Sequence, residues 1–329
     1  MSDSAVSAAS AASDTASVSA SGASGASGAS GASEVSGVSA VSAARGREAA
    51  EIESAFSHPA VAPDASAAYG DHPDQLIDFY APRDGRAGAP VVVVLHGGAW
   101  RAPYDRQHVS PFADFLARRG FAVASVEYRR GGGIPGQEGD DRVAGRWPDT
   151  FDDVAAAMDA LPGLLARELP EADVRRMVLT GHSAGGHLAL WAAARHVLPG
   201  GSPWRLPAPP RLRGVVALAP IADFAAAMRL DVCSGAVGQL LGRMEDHEER
   251  APLVDPAVLL PTGIATTVVQ GTADLDVPQA VAEAFVDAAA RAGETVGLTL
   301  LSDVGHFPLI DPAADACAVV AEELAQLAW

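Results

Sequence analysis

Leu179-Thr180-Gly181-His182-Ser183-Ala184-Gly185-Gly186 is the stretch on which the reading of this chain turns. An aliphatic and β-branched run stops at a G-x-S-x-G, and an apolar helical pattern takes over. Met177 to Thr180 has the character of a short strand, and Ala184, Leu188, Trp191 and Ala192 recur after it at helical spacing. A sharp strand-to-helix turn draws neighbouring backbone close, so the positions two before and two after the serine must be small. Ser183 would then project from the turn as a nucleophile. With 33 glycines in the chain a bare G-x-S-x-G says little, and its place between strand and helix is what makes it informative.

A hydroxyl is a poor nucleophile at neutral pH unless a histidine takes its proton and a carboxylate orients that histidine. Two downstream loops offer these groups. Gly271-Thr272-Ala273-Asp274-Leu275-Asp276-Val277-Pro278 follows the β-type run Ala265 to Gln270, and Gly305-His306-Phe307 follows the run Val296 to Leu301. Ser183, Asp274 and His306 are therefore the expected catalytic set, with Asp276 as the alternative carboxylate. His182 and His187 sit beside the serine, but the turn aims them elsewhere, and both are expected to be structural.

The attacked carbonyl also needs donors for its developing negative charge. Val91 to Leu95 reads as a buried strand, and it ends in His96-Gly97-Gly98-Ala99-Trp100, where the glycines leave backbone accessible. The amides of Gly97, Gly98 and Ala99, with that of Ala184, are the expected oxyanion donors, each worth on the order of 3 kcal/mol in the barrier. His96 is expected to hold the loop's shape. Trp100 and Tyr104 are expected to bind substrate, with packing beneath the loop as the plainer alternative. Asp152 and Asp153 open a helix, where carboxylates suit the free amides, and carry no expected chemistry.

From about Gln75 to the C-terminus these motifs resemble the α/β-hydrolase superfamily, within it the esterase and lipase branch with an HGG-type oxyanion loop. The chain order Ser, Asp, His is that superfamily's, unlike those of chymotrypsin and subtilisin. Ala99 stands where relatives of the hormone-sensitive-lipase type carry a third glycine, and HGG-x-W is similar to the loop of kynurenine formamidases. Tyr128-Arg129 matches a position that braces the loop in this branch. The resemblance implies two-step acyl transfer by Ser183, Asp274 and His306 on a small-molecule ester or amide, without metal or organic cofactor. Three functions follow as expectations: a hydrolase of carboxylic esters with small or medium acyl groups, an arylformamidase of the N-formylkynurenine type, and a non-catalytic binding protein on the same fold.

The implied architecture is an α/β-hydrolase fold, a mostly parallel sheet flanked by helices. Strands are expected near Gln75–Tyr80, Pro90–Leu95, Phe121–Val126, Met177–Thr180, Gly214–Ala219, Ala265–Gln270 and Val296–Leu301. Helices are expected near His108–Arg119, Asp152–Leu161, Ala184–Val197, Pro278–Ala292 and Pro312–Leu327. Ligands of such sheets sit beyond the carboxyl ends of the strands, where all the candidate residues fall. Residues 222–262 exceed a simple crossover and read as a small cap, with Phe224, Met228, Leu230, Val237, Leu240 and Leu241 shading the pocket or packing the cap.

The 329 residues carry 41 acidic and 23 basic side chains, every basic one an arginine, for a net charge of −18, which argues against nucleic acid or an anionic membrane as partner. Residues 1–50 are mostly Ser, Ala, Gly and Val without an aromatic, and include four Gly-Ala-Ser triplets, so they are expected to be a disordered tail without the build of a signal peptide. Residues 51–74 read as a linker and 75–329 as the hydrolase domain. Cys233 and Cys317 form no metal or disulfide pattern and are expected to be ordinary thiols in a cytoplasmic protein. Nothing in the sequence specifies an oligomeric state.

Overall fold

The computed structural model describes residues 31–131 and 143–329, with side chains described from residue 42 onward. Of the expected disordered tail 1–50, residues 1–30 lie outside these residues. Two compact units are present, Met1–Gly46 and Arg47–Trp329. The described part of the first is helical and belongs to α1 (Gly31–Ser57); the second holds the end of that helix and everything that follows.

Its centre is a sheet of eight strands: β1 (Ala65–Ala68), β2 (Leu76–Tyr80), β3 (Ala89–Leu95), β4 (Ala122–Val126), β5 (Ala172–His182), β6 (Gly214–Leu218), β7 (Thr266–Gly271) and β8 (Gly297–Leu301). They lie in the order β1-β2-β4-β3-β5-β6-β7-β8. β1 and β2 pair antiparallel, as do β2 and β4; the others run parallel. Every residue of β3, β4 and β6 is buried, which is why Val91 to Leu95 reads as an unbroken aliphatic run rather than an alternating one. Alternate side chains feed two cores. Val91, Val93 and Leu95 join one with α3 (Asp149–Glu168), α4 (Ala184–Ala194) and α8 (Gln279–Arg291); Val92 and Val94 join the other with α2 (Ser110–Ala117) and α9 (Asp315–Ala328). Helices thus cover both faces, as the α/β-hydrolase expectation requires.

Two boundaries differ from the sequence reading. α1 occupies residues expected to be tail and linker, and β1, in the same supposed linker, pairs Ala65 with Phe79 and so begins the sheet before Gln75. The sequence hid both for physical reasons. β1 is only Ala and Ser with a single buried side chain, so it lacks the β-branched alternation that marks a strand. The end of α1 is rich in Ala and Glu, good helix formers, but it shows little amphipathic stripe.

Between β6 and β7 the insertion forms α5 (Phe224–Arg229), α6 (Ala236–Leu241) and α7 (His247–Val254). Phe224, Val237, Leu240 and Leu241 are buried in the same core as β3, whereas Met228 and Leu230 are exposed. The Nε2–H of His187 and the Nε1–H of Trp191, both on α4, donate to the carbonyls of Val254 (2.9 Å) and Leu253 (3.0 Å), anchoring the end of α7. No helix among the described residues is long and apolar enough to cross a membrane.

Candidate active site

Ser183 stands between the last residue of β5 and the first of α4 with φ 56° and ψ −118°, a conformation that L-residues rarely adopt. The flanking glycines make it attainable. A Cβ on Gly185 would run into the carbonyls of Leu95 and His96, and one on Gly181 into that of Gly185. The Ser183 amide donates to the Leu218 carbonyl at 2.8 Å, which holds the turn against the end of β6. Backbone strain of this kind costs of order 1–3 kcal/mol and persists only where the surroundings enforce it.

The loop after β3 is strained in the same way. Gly98 (φ 99°), Ala99 (φ 52°) and Trp100 (φ 55°) are three consecutive left-handed residues. Its first residues press against the serine turn: a Cβ on Gly97 would lie 2.7 Å from the His182 carbonyl and 3.4 Å from Ser183 Cβ. A buried network holds it there. The Tyr128 hydroxyl donates to the His96 carbonyl at 2.7 Å, and the two rings stack at 4.3 Å. The His96 Nε2–H donates to Glu127 Oε1 at 2.8 Å, the same carboxylate oxygen accepts from Arg130 at 2.7 Å, and Oε2 accepts the Arg106 amide at 3.0 Å. Burial works against the Glu127 charge, yet His96, Arg130 and that amide hold its carboxyl down at about 2. Sequence reasoning placed His96 and Tyr128 in the loop's support but missed Glu127; a carboxylate ending the apolar run Phe121 to Val126 was the available signal.

Trp100 is fully buried, edge-on to His187 at 5.1 Å and to Phe224 at 6.4 Å. With no exposed surface it takes the packing place beneath the loop, the plainer of the two expectations. Tyr104 is half-buried beside Gly98, with its ring near Phe56 and His108.

The candidate carboxylate and histidine come together from the loops after β7 and β8. His306 Nδ1 lies 2.7 Å from Asp274 Oδ2, and both residues are buried. Asp274 Oδ1 accepts the amides of Asp276 (2.9 Å) and Val277 (2.8 Å), and Oδ2 also accepts Gln270 Nε2–H at 3.1 Å. This carboxylate is thus oriented by its own loop, and Gln270, a buried polar side chain one residue before the end of β7, is a support the sequence reading overlooked. Asp276 is half-buried and makes no hydrogen bond to His306. Burial alone would depress the His306 pKa, but the charge and hydrogen bond of Asp274, with the charges of Asp276 and Glu48, carry it above the ordinary histidine value. Asp274 fixes Nδ1 as the protonated nitrogen, which leaves Nε2 as the ring's acceptor.

His182, next to Ser183, donates its Nε2–H to the His306 carbonyl at 3.0 Å, and the two rings lie 4.2 Å apart. Burial and the His306 charge hold its pKa well below the ordinary value, so it is neutral. It ties the base loop to the serine turn. Asp274, Asp276 and His306 form a group with ligand atoms within 4.8 Å of one another, but a cation there would have to part His306 from Asp274. Cys233 lies in the insertion with Sγ 4.0 Å from the Asp276 carbonyl; burial pushes its thiol up to about 12, so it offers no thiolate to compete with Ser183. Cys317 is buried on α9.

Comparison with known proteins agrees with this architecture. Over 127 residues the chain is 33% identical to a probable isoprenylcysteine alpha-carbonyl methylesterase of Oryza sativa subsp. japonica, covering 39% of this chain and 27% of that protein. A second probable methylesterase of that name from the same organism is 26% identical over 257 residues, 74% of this chain and 57% of the other. The chain thus spans from about a quarter to somewhat over half of the length of these curated relatives. Esterase B from Lactobacillus rhamnosis superposes with a TM-score of 0.65 at 20% identity, covering 90% of this chain and 95% of that structure, which establishes a common fold. The BD-FAE family model matches residues 77–288, a range that takes in the loop after β3, the Ser183 turn and Asp274. By that match, which spans most of the sheet, the chain belongs to the BD-FAE family.

Proposed function

We propose that this protein hydrolyses carboxylic esters of small or medium acyl groups, with Ser183 as nucleophile, His306 as general base and acid, and Asp274 as the carboxylate that orients it. The observation that carries this reading is the 2.7 Å pair of His306 and Asp274, tied through His182 to a serine held at φ 56°. Resemblance to esterases in sequence and in fold supports the same reaction class.

Ser183 Oγ attacks the ester carbonyl carbon as its proton passes to His306 Nε2. The carbonyl oxygen becomes an oxyanion, received by the amide of Ala184 and amides of the Gly97 to Ala99 loop. Collapse of this intermediate breaks the bond to the alcohol oxygen, which leaves with the proton from His306. A water molecule then attacks the acyl-enzyme by the same route, His306 taking its proton and returning it to Ser183, and the carboxylic acid departs. Through each cycle His306 alternates between neutral and cationic forms, and the neighbouring carboxylate lowers the cost of the charged one.

The test is hydrolysis of p-nitrophenyl esters from acetate to octanoate, with N-formylkynurenine measured alongside. Turnover of the esters by the full chain and its loss in Ser183→Ala is the expected result. Activity retained by Ser183→Ala, or hydrolysis confined to the formamide, refutes the assignment.

A further inference from the structure

The loop that carries His306 is gripped from outside the hydrolase core by the end of α1. Glu51, Ser54 and His58 follow one another at spacings of three and four residues, which places them on one helical face continued just past Ser57. Glu51 Oε1 accepts the amide of Gly305, the residue immediately before His306, at 3.2 Å. At the far end of the same loop Ser54 Oγ–H donates to Asp311 Oδ2 at 2.6 Å, and His58 Nε2 lies 2.7 Å from Asp311 Oδ1. Phe56 places its ring 5.3 Å from that of Phe307, the residue immediately after His306, and 6.2 Å from that of Tyr104 beside the loop following β3. The base loop is therefore fixed on its inner side by Asp274 and His182 and on its outer side by four residues of one short segment, Glu51, Ser54, Phe56 and His58.

We infer that residues 47–58 form a positioning element of the active site, in which Glu51, through the Gly305 amide, sets the reach of His306 toward Ser183 while Ser54 and His58 pin the loop at Asp311. This rests on the hydrolase reading above. A carboxylate that merely solvated a surface helix would not need to be half-buried against a loop amide, and burial indeed raises the Glu51 pKa, working against its charge. Its bond to the amide that immediately precedes His306 makes it a handle on geometry, where a displacement of about 1 Å costs on the order of 100-fold in rate.

The experiment compares full-length wild type, Glu51→Ala and Glu51→Gln by fluorophosphonate labelling, by kcat and KM for p-nitrophenyl acetate, by the pH dependence of kcat/KM and by thermal unfolding. Wild type labels at Ser183; if it does not, the hydrolase reading fails before any variant is compared, and this inference falls with it. Glu51→Ala is expected to lower kcat and the labelling rate by about 10- to 100-fold with little change in KM. Glu51→Gln keeps an acceptor for the Gly305 amide and is expected to recover most of the loss. Asp274 and Asp276 on the loop after β7, Glu48 on α1 and His182 at the end of β5 face His306, so loosening its loop from Asp274 moves the acid limb of Glu51→Ala to lower pH. Lower melting temperatures with kcat and the acid limb unchanged, or a Gln variant as slow as the Ala variant, overturn the inference.

Discussion

The turn that presents Ser183 and the wall made by the end of α1 both stand against the loop that carries His306 but are built by opposite means. The turn is local. Ser183, left-handed between β5 and α4, and the glycines pressed against neighbouring carbonyls produce it, beside strands β3 and β6, whose residues are all buried. The wall is assembled across the chain, from residues near position 51 that meet residues near position 305 through single side-chain hydrogen bonds. Damage to the first removes chemistry or fold; damage to the second alters how well the chemistry is aligned.

The largest effect is expected from Ser183→Ala, which should lower kcat on p-nitrophenyl acetate by about 100,000-fold or more while leaving the melting temperature nearly unchanged. Loss of structure instead would mean that the serine serves the turn rather than the reaction. Asp274→Asn is expected to cost about 10,000-fold in kcat, since the amide favours the wrong imidazole tautomer, whereas Asp276→Asn should cost less than about tenfold. Equal losses would return the choice of carboxylate to an open state.

The pH dependence of kcat/KM probes the same pair. Only neutral His306 can accept the serine proton, and its pKa lies above the ordinary value, so activity should fall as pH drops through a midpoint higher than that of a free histidine. Asp276→Asn removes one of the charges that raise it and should move this midpoint down by a fraction of a unit, a shift readable in a titration from pH 5 to 9. On the stability side, Gly185→Ala forces a methyl group into the Leu95 and His96 carbonyls and should cost at least about 1–3 kcal/mol in urea unfolding. Phe56→Ala, by contrast, trims a 41% exposed ring and should cost at most about 1 kcal/mol, with its effect seen in kcat. A reversed ranking of these last two would erase the distinction between the local turn and the assembled wall.

Much of this molecule was readable from residue patterns. Val91 to Leu95 and Val215 to Leu218 announced central strands because both of their faces are buried, and each candidate for chemistry fell just past such a strand. Ala65–Ala68 escaped because an edge strand of small residues has no hydrophobic face to display, and α1 escaped because its composition looked like a tail. Glu127, Gln270 and Glu51 were invisible as functional supports, since what they do depends on which distant backbone or side chain stands opposite. Trp100 shows the same limit from the other side: an aromatic after a glycine-bearing loop fits a pocket wall and a buried brace equally well until its neighbours His187 and Phe224 are known.

The sequence by itself determined the alternation of strand and helix, the sharp turn at Ser183 and the glycine-bearing loop after β3, because each depends on side-chain size and periodicity within a few residues. Tertiary structure alone decided that Asp274 rather than Asp276 meets His306, that His182 links base to serine turn, and that the end of α1 lies against the base loop. Those outcomes rest on contacts between segments far apart in the chain, and a hydrogen bond of 2.7 Å leaves no trace in the local order of residues that form it.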